Sequence, residues 1–155
     1  MDPTPFDAMQ ARLKRVYLRW LLPPLAAAAA LLLLEQVHPA LASAWAGRIE
    51  AALPWLFGAS AALAVAGPVM VRAVFAHGVQ NRRRVPAAAY YRFRLRLVYA
   101  AVSVPYLALW VVGTGSAGFF RSGIWLAALY AVYYGYPSRQ RVDFDRRLFR
   151  VTAER

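Results

Sequence analysis

Carboxylates and imidazoles are scarce here: seven Asp and Glu and two His among 155 residues, with no Cys. The most suggestive group is Glu35-Gln36-Val37-His38. Glu35 and His38 stand three apart, so on a helix they share a face and can pair. A carboxylate held inside hydrocarbon is costly and marks a proton- or cation-coupled transport site, whereas near the interface it is cheap. Counting about 20 residues from Arg19 puts Glu35 about one turn from the outer interface. Starting at Leu25, after Pro23-Pro24, would bury it near mid-span. The interfacial position is the reading adopted here, and a site at Glu35 and His38 is the alternative.

Asp143 and Asp145 lie two apart, so on a helix their side chains diverge by roughly 200°. Arginines flank both at helical spacing (Arg139/Asp143, Asp143/Arg147, Arg141/Asp145), which makes them ion-pair partners and not metal ligands. His38 and His77 fall at opposite ends of the chain's apolar segments, so they cannot jointly ligate a haem. No HExxH, GxSxG or Walker A pattern is present, nor a paired-acid signature for a divalent cation. The absence of Cys excludes disulfide and thiolate metal chemistry. A non-catalytic chain without metal or cofactor is therefore expected.

The elements that carry these residues are set by hydropathy. The chain is 61% apolar with only 17% charged residues, a balance outside that of soluble domains. Crossing roughly 30 Å of hydrocarbon takes about 20 mostly apolar residues. Four stretches approach this, at about 16–37, 49–71, 95–112 and 119–136. The last two are short, but Arg94, Arg96 and Arg121 at their ends can reach the interface along their stems. The expected fold is all-α: four transmembrane helices over 16–136, after a 1–15 lead in which Ala8–Val16 can form a short interfacial helix. A basic loop covers 72–94. Ser138 is placed to cap a tail helix reaching about Thr152, within a tail of 137–155.

Orientation follows from charge. The chain carries a net +12, and 17 of its 19 Lys and Arg fall in the N-terminal segment, the 72–96 region or the tail. Only Arg48 and Arg121 lie in the other two connections. The positive-inside rule then places both termini and the middle loop in the cytoplasm. Small-residue sites at 40–44 after a basic, apolar start resemble a signal cleavage region. The basic segment is long for that role, so an uncleaved span is expected. Eighteen arginines against one lysine, with heavy Ala use, suggest a GC-rich bacterial genome and hence an inner membrane.

Two candidate binding features remain. Gly58, Ala62 and Ala66 recur every four residues, as do Gly123, Ala127, Ala131 and Gly135. Such ridges let another helix approach closely, either in the chain's own bundle or in a partner. Arg82, Arg83, Arg84, Arg92, Arg94 and Arg96 cluster beside the third span, where they can be topogenic or bind anionic headgroups or an acidic partner. Nucleic acid is not expected, since no folded module surrounds these charges. In the tail, Phe144, Leu148 and Val151 form one apolar side, and Val142 and Phe149 form another. One side can face the bundle or bilayer and the other a partner. The expectation is a small accessory or assembly subunit that contacts membrane lipids and another membrane subunit, the alternative being a homo-oligomeric transporter or exporter.

Overall fold

In the computed structural model, residues 5–81, 84–112 and 118–152 are described, with side chains for all of these but 5, 41–43, 45, 46 and 152. The elements run α1 (Pro5–Val37), α2 (Pro39–Ile49), a 3-10 turn (Glu50–Ala52), α3 (Leu53–Val79), β1 (Val85–Pro86), α4 (Ala87–Ala108), a second 3-10 turn (Leu109–Val111), α5 (Phe119–Gly135), α6 (Arg139–Leu148) and β2 (Val151–Thr152). The fold is all-α. Three of its helical segments, Phe6–Val37, Gly47–Val79 and Ala87–Val111, are long and apolar enough to cross a membrane.

α1 shows why prolines need not end a membrane helix. Pro23 and Pro24 lie inside its 33 residues, and the helix is one piece from Pro5. The expected separate interfacial helix is instead its first turns. Its buried positions, Leu13, Tyr17, Leu21, Pro24 and Ala28, recur every three or four residues and so form one stripe. Beyond Ala28 no described residue of α1 is buried. The connection expected over Gln36–Arg48 is also helical, as α2, and Arg48 lies in its last turn. α3 accepts Pro54 in its first turn, carries Pro68 inside, and continues past residue 71 to Val79.

α4 is the central element, contacting α1, α3 and α5. It begins after Pro86, which is extended, with φ −64° and ψ 142°. Its interior face is built from small and branched residues, including Val98, Ala101, Val102, Val104 and Ala108, which allow close helix approach. Gly67 against Ala100 and Phe75 against Phe93 show α3 running antiparallel to α4, and Phe57 against Gly123 with Gly135 against Ala101 shows α5 running parallel to α3. Trp20 packs on Tyr99, and its carbonyl accepts from the Tyr106 hydroxyl at 2.9 Å.

α6 closes the end of the bundle where α1 and α4 start. Ser138 accepts from the Arg141 amide at 3.4 Å as the helix N-cap. The helix stops at Leu148, four residues before the expected end. Arg150 takes a left-handed φ of 52°, which breaks the helical path. Val151 and Thr152 then pair in parallel with Val85 and Pro86.

Candidate functional site

The site assembles where α3, α4 and α6 meet. On α4, Tyr90, Phe93, Arg94, Val98 and Ala101 are buried, and their spacing of three and four residues makes one inward stripe. Arg94 sits on that stripe, and its residue is 6% exposed. α3 brings Arg72 to the same level. α6 brings Asp145, which is fully buried, on the same face as Val142 and Phe149.

Both oxygens of Asp145 are engaged. Arg72 Nη2 donates to Oδ1 at 2.7 Å, and Arg94 Nη1 donates to Oδ2 at 2.6 Å. A carboxylate removed from water requires such compensation. The clamp ties three elements, with Asp145 73 positions from Arg72 and 51 from Arg94 along the chain. Around it, the Tyr90 hydroxyl donates to the Val142 carbonyl at 2.9 Å. Phe75 stacks on Phe93 with ring centroids 4.2 Å apart, and Phe149 meets both rings edge-on. The Arg94 Nε has no hydrogen-bond partner among the described residues.

Arg141 does not pair with Asp145 as its spacing suggested. Its Nη1 donates to the carbonyls of Tyr133 and Tyr134 at 2.8 and 2.9 Å, satisfying acceptors that the C-terminus of α5 leaves open. Its guanidinium lies over the rings of both tyrosines, 4.8 and 5.0 Å from their centroids. Arg139 likewise reaches Asp7 on α1 at 3.3 Å, and Asp143 pairs with Arg146 at 3.9 Å. Tertiary geometry displaces the i, i+4 pairs because α6 is docked, not solvated. Its far side, Phe144 and Leu148, stays exposed.

Beside the clamp lies a crevice of about 380 Å³ between α3, α4, α5 and α6. Val65, Pro68, Val69, Leu97 and Ala101 make its apolar walls, and Arg72, Arg94 and Arg141 stand at one end.

The remaining predicted residues are distributed differently. Arg94 is turned inward on the buried stripe of α4 and lines the crevice, apart from the exposed arginines of its set. Arg84, Arg92 and Arg96 are exposed, while Arg82 and Arg83 lie outside the described residues. On α5 the small-residue ridge faces the bundle. A Cβ at Gly123 would overlap the Phe57 ring and one at Gly135 would overlap Ala101. Ala131 is buried and Ala127 packs on the same core cluster. On α3 the ridge faces outward, with Gly58, Ala62 and Ala66 all exposed. Glu35 is half-buried in the last turn of α1 and His38 is exposed. Among the described residues no ion pair joins Glu35 to His38, and no group of three or more His, Asp or Glu side chains could hold a metal.

The clamp was not foreseen from sequence, although one signal points to it. Asp145 shares a helical face with Val142 and Phe149, and a carboxylate between two core-facing apolar residues calls for a buried cation.

These features define an all-helical chain with three helices able to span a membrane and a buried Arg–Asp–Arg clamp at one end. No protein-family model matches it, and neither the curated proteins nor the solved structures show a significant match.

Proposed function

We propose that this chain is a non-catalytic, four-pass protein of a bacterial inner membrane that serves as a small accessory or assembly subunit. Both termini and the 72–94 loop lie in the cytoplasm in this reading, following the positive charge. α5 is the fourth span. Its 17 residues reach about 26 Å at about 1.5 Å per residue, and Arg121 in its first turn extends the usable length.

The observation that carries the docking role is the outward face of α3. Gly58, Ala62 and Ala66 are exposed, and a Cβ added at Gly58 would meet nothing within 4 Å. In lipid, helices associate by close van der Waals packing at small residues. On α5 this device already serves the chain's own bundle, whereas on α3 it stands open to a second transmembrane helix. Arg84, Arg92 and Arg96 add an exposed basic surface for an acidic partner or anionic headgroups.

Native mass spectrometry after gentle extraction from the protein's own membrane tests this directly. A partner at fixed stoichiometry is expected, and Ala62→Leu should release it while the chain stays folded. A lone monomer, or a partner retained by Ala62→Leu, overturns the docking role. A bare homo-oligomer turns the reading toward an exporter, in which a second copy encloses Glu35.

A further inference from the structure

The crevice beside the Asp145 clamp combines an apolar trough with a cationic end. Its walls at Val65, Pro68, Val69, Leu97 and Ala101 are apolar, with Tyr130 and Tyr134 lining the α5 side. Its volume of about 380 Å³ falls in the range of about 300–1,000 Å³ typical of small-molecule sites. At one end stand three guanidinium groups with a single carboxylate bonded to two of them. The crevice end therefore keeps two uncompensated positive charges.

Donors are also left over. The Arg94 side chain is 7% exposed, lines the crevice, and has an Nε–H without an acceptor among the described residues. A buried donor without a partner is unfavourable and is relieved by an acceptor that enters the site. Arg72 uses Nη2 for Asp145 yet remains 47% exposed, so its other donors can turn to a ligand. Its position on α3 puts these charges at the basic end of the bundle, while Ala64 and Val65 lie about two turns deeper.

We infer that this crevice binds one anionic phospholipid, its phosphate held by Arg72, Arg94 and Arg141 and one acyl chain laid along the α3–α4 trough. The phosphate supplies acceptor oxygens of the kind that guanidinium groups bind most strongly. The acyl chain supplies the apolar half that the trough matches, and no free anion has one. This rests on the membrane-spanning reading alone and is independent of the docking role of α3.

The test uses the full chain reconstituted in nanodiscs of mixed phosphatidylglycerol and phosphatidylcholine, read by native mass spectrometry. One phosphatidylglycerol per chain should persist at activation energies that strip phosphatidylcholine. Arg72→Gln should weaken that retention about tenfold, the scale of one charge-assisted hydrogen bond. Val69→Trp, on an exposed wall and away from the clamp, should displace the lipid without disturbing the ion pairs. Arg15→Gln, exposed on α1 and outside the crevice, should change nothing. Equal retention of both lipids overturns the assignment, as does retention unaffected by Val69→Trp. Inorganic phosphate competing with phosphatidylglycerol at equal concentration would assign the site to a free anion and also overturn it.

Discussion

At the residue scale the molecule turns on one carboxylate. Asp145 has no exposure and holds one arginine on each oxygen. Removing one member of such a buried set leaves charge uncompensated and costs about 3–5 kcal/mol. Asp145→Asn should therefore lower stability by about 3 kcal/mol in equilibrium unfolding from mixed micelles. Asp143→Asn should cost under about 1 kcal/mol, because its contact with Arg146 at 3.9 Å is partly exposed and solvent-screened. Combining Arg94→Gln with Asp145→Asn should cost less than the sum of the two single changes. An additive result would show that the pair does not couple. The acidity of this position was legible in the sequence, but its partners were not. Spacing along α6 nominated Arg141, which instead caps α5.

At the element scale, two ridges of the same composition have opposite roles. Gly123 and Gly135 on α5 sit where any side chain would strike Phe57 or Ala101. Gly58 on α3 faces open space. Gly135→Val should therefore destabilise the bundle by about 1–3 kcal/mol through overpacking. Gly58→Val should stay within about 0.5 kcal/mol, as a substitution away from packed features does. Thermal unfolding of both variants in one detergent checks the contrast, and equal losses would contradict the packing described. Hydropathy located the helices well because each span's apolar content is a local sum. It placed their ends less well. Pro23 and Pro24 sit within a continuous α1, and Arg150 stops α6 early through its backbone conformation.

At the scale of the whole molecule, charge and apolar length are the two properties that favour the proposed four-pass topology. Of the 19 basic residues, 17 gather toward one side under a four-span reading. The natural chain has no Cys, so single cysteines report position cleanly. Gln80→Cys and Arg147→Cys should react with a membrane-impermeant maleimide only from the cytoplasmic side. Gly47→Cys and Gly118→Cys should react only from outside. Labelling of Arg147→Cys from outside while Gln80→Cys labels from the cytoplasm would leave an odd number of crossings between them and would displace the four-pass reading.

Composition and hydropathy by themselves predicted a helical chain with four near-spanning apolar stretches, three of which lie in helices long and apolar enough to cross a membrane, and located where its positive charge concentrates. Those properties are sums over neighbouring residues, and no long-range contact is needed to fix them. Only the tertiary structure decided which arginine of the Arg92, Arg94 and Arg96 set faces inward, what compensates Asp145, and which small-residue ridge remains open. Each of these depends on how one helix is rotated about its axis relative to the next. That rotation is set by the packing of α3, α5 and α6 against α4. A one-dimensional pattern, apolar on nearly every side, does not specify it.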